Sequence, residues 1–157
     1  MKGVFDLTDF REEMYVSLLR RWLIVDELGR NKHGENVLNI QKGALFDYLL
    51  KNPKDMHSFL VSFNRLNENS PYTDVLYSND AEYGSYQDLT DFLQSMLILE
   101  AEGFVDIIVS GSECFVTPGK KQFNISTNLV ENWRLNLSLL KPLVGKSLNI
   151  LQKNSLR

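Results

Sequence analysis

The sequence predicts a mainly α-helical α+β fold, with a winged-helix-like core that carries a small β-hairpin and a long C-terminal helix. Apolar residues recur at three- and four-residue steps over residues 9–28 and at steps of three, four or six over residues 120–153, which indicates helices. Two β-rich runs within residues 104–117 flank a glycine-containing turn, the pattern of a hairpin. A length of 157 residues predicts one domain, with a core of about residues 9–118 and a helical arm of about residues 119–153.

The first helix has the clearest pattern. Asp9 is a suitable N-cap and Glu12 completes a capping-box spacing, so the helix is expected to begin at residue 9. Gly29 is expected to end it. Apolar side chains surround its second half, which predicts a central, buried helix. The apolar stripe consists of Phe10, Met14, Tyr15, Leu18, Leu19, Trp22, Val25 and Leu28.

Shorter elements follow. Residues 30–36 are polar and contain a glycine, so they predict a loop, and residues 37–40 alternate like a short strand. Residues 41–51 carry apolar positions at helical spacing and must end before Pro53, which is suited to the first turn of a further helix over residues 53–66.

Beyond a polar break at residues 67–73, residues 74–87 predict only an irregular segment or a short helix. A helix is expected over residues 89–102, capped by Asp88 or Ser85 and ended by Gly103.

The hairpin is predicted from residues 104–109 and 113–117, with residues 37–40 as a third strand beside it. The C-terminal helix then covers about residues 120–153, and Pro142 should kink it or split it in two.

The composition favours a binding protein over an enzyme. A single cysteine, Cys114, allows no internal disulfide framework or multi-cysteine zinc site, and the two histidines, His33 and His57, leave little material for a metal centre. Residues 145–147 (GKS) end like a phosphate loop, but Leu140 stands where its first glycine belongs. A G-x-S-x-G motif is absent. We therefore expect no catalytic residues, cofactor, metal or small-molecule substrate.

Other reactive side chains have simpler interpretations. Cys114 lies within a predicted strand and is expected to be a small buried hydrophobe. Asp47, Asp55 and Asp88 are interpreted as surface acids, and His57 as a solvated or partner-facing residue on its helix.

Targeting features are absent from the sequence. The N-terminal stretch turns acidic within six residues, unlike a secretory signal, and the apolar runs are too short to span a bilayer. A cytoplasmic location without membrane contact is therefore expected.

Charge is unevenly distributed along the chain. The overall net charge is −3, which argues against a general nucleic-acid binder, yet residues 1–115 carry a net −9 and residues 116–157 a net +6. The basic tail either pairs with the acidic body or contacts a partner or DNA. The candidate contact residues are Lys120, Lys121, Arg134, Lys141 and Lys146, together with Lys54 and Arg65 on the second helix of a possible helix-turn-helix pair.

Two resemblances carry the functional hypothesis. Residues 99–103 (LEAEG), followed by the two β-rich runs and a Thr-Pro-Gly sequence at 117–119, resemble the helix-to-wing segment of winged-helix proteins. Residues 19–28 (LRRWLIVDEL), His33-Gly34, and residues 38–53 ending in ALFDYLLKNP are similar to the middle component of bacterial ABC-three-component (Lamassu-type) defence systems.

The second resemblance implies a non-enzymatic adaptor subunit between an SMC-like ATPase and an effector, commonly a nuclease, that acts against phage or plasmid DNA. DNA is then a possible contact within the complex. The alternative is a winged-helix transcription regulator that dimerises through the helix at 120–150 and presents two reading helices to DNA. An enzyme is the third and least favoured hypothesis.

Overall fold

The computed structural model describes residues 2–66 and 84–155, and it confirms a mainly helical chain with one two-stranded antiparallel hairpin. The prediction for residues 67–83 lies outside the described residues. The elements are α1 (Lys2–Leu28), α2 (Ile40–Lys51), α3 (Pro53–Ser62), α4 (Gly84–Ala101), β1 (Val105–Ser110), β2 (Glu113–Pro118), α5 (Asn128–Leu140) and α6 (Leu148–Ser155).

Helix α1 is the central helix, as predicted, but it begins at Lys2 and not at Asp9. The capping-box pattern was misleading because residues 4–8 contain neither glycine nor proline, so the helix continues through Asp9. The chain does leave the helix at Gly29. A side chain there would lie 2.5 Å from the Val25 carbonyl oxygen and 2.9 Å from the Pro118 ring, so glycine allows the hairpin to approach the helix end.

Helices α2 and α3 form a short pair. The Asn39 side chain caps α2 by accepting a hydrogen bond from the Lys42 N–H at 2.8 Å. Asn52 (φ −127°) separates the helices, and Pro53 begins α3 as predicted. Helix α3 stops at Ser62 and does not reach residue 66, because Asn64 adopts a left-handed conformation with φ 61°.

Helix α4 begins at Gly84, five residues before the predicted start. Its predicted end at Gly103 is confirmed, with φ 88° and a Schellman hydrogen-bond pattern. The Phe104 N–H donates to the Leu99 carbonyl at 2.8 Å, and the Gly103 N–H donates to the Glu100 carbonyl at 3.0 Å. Helices α2 and α4 lie very close, since a side chain at Gly43 would overlap the Phe92 ring.

The predicted hairpin is present, but β1 covers Val105–Ser110 and not residues 104–109, so the turn is one residue shorter than predicted. Ser110 pairs with Glu113 across a two-residue loop in which Gly111 adopts φ 61°. Residues 37–40 do not form the predicted third strand. Their backbone pairs with β2 through one isolated bridge, Asn39 to Phe115, and through a 2.9 Å hydrogen bond that the Val116 N–H donates to the Leu38 carbonyl. Helix α2 begins at Ile40, which leaves no room for a longer ladder.

The C-terminal segment is split at Pro142, as predicted, by a single 3-10 turn at Lys141–Leu143. Its start is later than predicted, because Thr127 caps α5 and residues 119–127 are not helical. Phe123 instead stacks on Phe104 with 4.2 Å between ring centroids. The apolar face of α5 joins the same buried core as α1 and α2; its residues there are Val130, Trp133, Leu137 and Leu140.

None of the helices within the described ranges is long and apolar enough to cross a membrane.

Candidate functional site

The predicted contact residues do not gather in one place. Lys120 and Lys121 are exposed just after the hairpin, where the Lys121 N–H donates to the Gly103 carbonyl at 3.0 Å. Lys141 and Lys146 are exposed between α5 and α6, and Lys54 and Arg65 are exposed at either end of α3. The structure therefore separates the predicted cations into a group near the end of α4 and a group around α3 and α6.

Arg134 differs from the other six in that it forms ion pairs with acids of the described part of the chain. Its guanidinium lies 2.5 Å from the Glu27 carboxylate and 3.5 Å from that of Asp26, both near the end of α1. For this residue, the alternative that the basic tail pairs with the acidic body is correct.

The exposed cations Lys54, Arg65, Lys146 and Lys153 lie on or beside α3 and α6, two helices that pack together. Helix α6 packs against α3, and the Lys146 ammonium lies 5.8 Å from the centroid of the Phe63 ring, directly after α3. Exposed positions on α3 recur at Lys54, Ser58 and Ser62, one face of the helix, and Arg65 follows its end. We call Lys54, Ser58, Ser62, Arg65, Lys146 and Lys153 the α3–α6 basic surface.

A second exposed surface, on α4, is rich in large apolar side chains. Leu93, Leu97 and Ile98 on α4 are 40%, 52% and 47% exposed, and helical geometry places them on one arc of the helix. The opposite side of α4 is buried, with Phe92, Met96 and Leu99 in the core. We call the exposed side the α4 apolar arc. Clusters of exposed large apolar side chains are typical of protein-binding surfaces.

Sequence reasoning missed the most buried charged group. Asp47 on α2 is fully buried, so its interpretation as a surface acid is wrong. Its two carboxylate oxygens accept hydrogen bonds from Arg20 at 2.6 Å and Arg21 at 3.0 Å, both on α1. Arg21 also donates to the Ser95 hydroxyl on α4 at 2.7 Å. We call these four residues the buried charge cluster; it links α1, α2 and α4.

The Asp47 carboxylate in this cluster keeps its negative charge. Burial alone raises the pKa of Asp47, but the nearby charges of Arg20, Arg21 and Lys51 and the hydrogen bond from Arg20 outweigh it and lower the pKa to about 2. Asp47 therefore remains an ionised acceptor at neutral pH, which suits a structural link between helices and not proton transfer.

A signal for this cluster is present in the sequence. Residues 20 and 21 lie inside a helix that is apolar nearly all round, so at least one of these arginines had to be buried. A buried arginine requires a carboxylate partner. Asp47 is the acid within the similarly apolar stretch of α2.

A buried lysine connects α2 to the C-terminal segment. The Lys42 ammonium donates to the Val144 carbonyl at 2.9 Å and lies 3.4 Å from the Val37 carbonyl. Burial lowers the pKa of Lys42 from its ordinary value, and the charge of Glu113 partly opposes this effect. Both partners are neutral carbonyls, so this contact also positions chain segments.

The remaining candidate side chains lie apart. Asp55 accepts a 2.7 Å hydrogen bond from the Tyr48 hydroxyl, and His57 is half-buried on α3. Cys114 is half-buried against the core, in agreement with its predicted packing role. The side chain of Asp88 lies outside the described residues. Within the described part of the chain, no three His, Cys, Asp or Glu side chains are close enough together to hold a metal ion.

Comparison of the chain with protein-family models, with curated proteins and with solved structures found no match.

Proposed function

We propose that this protein is a non-enzymatic adaptor subunit that joins an SMC-like ATPase to an effector nuclease in a cytoplasmic bacterial defence complex. The resemblance of residues 19–28 and 38–53 to Lamassu-type middle components supports the class of complex. The observation that carries the adaptor function is the α4 apolar arc, because three large apolar side chains remain exposed on one helix.

The arc is held rigidly, as a docking surface requires. Helix α4 packs against α1 and α2, and the Arg21–Ser95 hydrogen bond ties its buried side to the charge cluster. A partner that covers Leu93, Leu97 and Ile98 gains the free energy of apolar burial without first ordering the helix.

The test is co-purification of the tagged chain with the co-expressed products of its neighbouring genes. Leu97→Asp should abolish retention of a partner, because a buried carboxylate has no pair in an apolar interface. Leu135→Asp is the matched control, since Leu135 is 62% exposed but lies on α5. Equal retention by both variants would contradict the proposal. Leu137 and Val144 are unsuitable targets, because both are buried in the core.

A second candidate function is a DNA-binding transcription regulator. The observation that favours it is the exposed face of α3, which presents Lys54 and Ser58 to solvent in a helix-turn-helix-like pair with α2. The helix proposed for dimerisation, α5, buries its apolar face within its own chain. Specific binding of the isolated protein to a palindromic site at physiological salt would favour this function over the adaptor.

A further inference from the structure

We infer that the α3–α6 basic surface binds the phosphate backbone of duplex DNA without reading its sequence. The inference rests on the proposed adaptor function in one respect, that the DNA is the substrate of the complex and is held against this subunit. The surface itself is defined by the positions of its side chains.

The local charge of this surface is opposite to that of the whole chain. Four cations, Lys54, Arg65, Lys146 and Lys153, are exposed on α3, on α6 and beside them, in a protein of net charge −3. Residues 141–157 contain no acidic residue. The acid in α3, Asp55, is half-buried and already accepts the Tyr48 hydroxyl. A polyanion can therefore approach these cations without meeting an exposed carboxylate of α3 or α6.

The residue types favour a phosphate backbone over an acidic protein. Lysine and serine are depleted in the cores of protein interfaces, which rely on aromatic and large apolar anchors. The exposed face of α3 instead carries Lys54, Ser58 and Ser62 and is followed by Asn64 and Arg65. Cations together with short hydroxyl and amide side chains are the usual donors to phosphate oxygens.

The arrangement does not favour base reading. Recognition helices contact base edges with several of their N-terminal residues, through arginine, lysine, asparagine or glutamine side chains that make paired hydrogen bonds. The exposed N-terminal positions of α3 hold Lys54 and Ser58, whereas Asn64 and Arg65 lie beyond its C-terminal end. Lys54 alone among these N-terminal positions is of a type that pairs with a base edge, so most of the available contacts position a duplex and do not specify its sequence.

The test is a salt titration of binding between the isolated full-length protein and a labelled duplex of arbitrary sequence, followed by fluorescence anisotropy. If each of the four cations neutralises one phosphate, the logarithmic slope of the binding constant against salt is about −3.6. Binding then weakens about a hundredfold between about 50 and 200 mM salt.

Matched single variants locate the surface. Arg65→Glu and Lys146→Glu should each make the slope shallower by about 1 and weaken binding. Lys32→Glu changes the net charge equally but lies in the loop between α1 and α2, so it should leave the slope unchanged. Lys146→Met retains contact with Phe63 without the charge, and it should lose the same phosphate contact with an unchanged unfolding temperature.

Four results would overturn the inference: no duplex binding at low salt, an equal effect of Lys32→Glu, tight binding of poly-glutamate without binding of DNA, or a strong preference for one palindromic sequence. The co-purification experiment is separate. Loss of DNA binding with partners retained would contradict only the DNA-binding surface. Loss of partners with DNA binding retained would contradict only the adaptor function.

Discussion

Among the described residues, helix α1 takes part in arginine–carboxylate contacts at two sites, one buried and one partly exposed. Arg20 and Arg21 grip Asp47 in the core, where the three side chains are nearly inaccessible to water. Arg134 contacts Glu27 and Asp26 at the surface, where the three side chains are 25–36% exposed. Water screens the second contact and not the first. The same chemistry therefore fixes three helices in one place and adds only a weak link to α5 in the other.

Removal of the buried carboxylate should have the largest effect. Asp47→Asn keeps the shape of the side chain but leaves the guanidinium groups of Arg20 and Arg21 without the charge they contact. Breaking a buried ion pair from one side lowers the free energy of unfolding by about 3–5 kcal/mol. Urea denaturation measures this loss. Asp106→Asn, at an exposed position of β1, is the control and should change stability by less than about 0.5 kcal/mol.

Low pH should have the second-largest effect, because protonation of Asp47 weakens the buried contact. The pKa of Asp47 is about 2 in the folded chain, against an ordinary value of 3.8. Its contribution to stability is therefore fully present above pH 4 and is lost as the pH falls from about 4 towards 2, a loss on the order of 2 kcal/mol. Unfolding curves measured across this range should show a shallower acid dependence in Asp47→Asn. An identical dependence in both proteins would show that Asp47 is not held ionised.

Removal of the surface contact should have the smallest of the three effects. Arg134→Ala removes a partly exposed ion pair, so the free energy of unfolding should fall by no more than about 1 kcal/mol. A double-mutant cycle with Glu27→Gln, measured in low and high salt, isolates the pair. The coupling energy should shrink in high salt. A coupling as large as the effect of Asp47→Asn would remove the distinction between the two contacts.

The elements that local chemistry determines were predictable from the sequence. The stop at Gly103 needs only a residue that tolerates positive φ, and the boundary at Asn52 and Pro53 needs only the geometry of proline. The presence of the hairpin follows from its glycine-containing turn, although the turn is one residue shorter than predicted, and the split of the C-terminal helix follows from Pro142.

Features that depend on tertiary contacts were not predicted. Residues 37–40 alternate like a strand, but they pair with β2 at one position only because α2 begins at Ile40. In the sequence, Asp47 looks like any other acid on a helix. Its burial follows only from the packing of α1 against α2, which brings Arg20 and Arg21 into contact with it. Of the predicted contact residues, Arg134 pairs with Glu27 because α5 packs on α1, a contact invisible in the charge count.

Buried charges maintain the fold while exposed surfaces bind partners, and helix α4 takes part in both, through Ser95, which accepts a hydrogen bond from Arg21, and through the exposed Leu97. The direct measurement is partner retention together with unfolding free energy for two variants of this helix, Ser95→Ala and Leu97→Asp. Ser95→Ala removes a hydrogen bond from Arg21 and should cost about 1–3 kcal/mol while the folded protein retains its partner. Leu97→Asp should change stability by about 0.5 kcal/mol or less and lose the partner. Partner loss in folded Ser95→Ala, with partner retention in Leu97→Asp, would contradict this division between buried structural contacts and exposed binding surfaces.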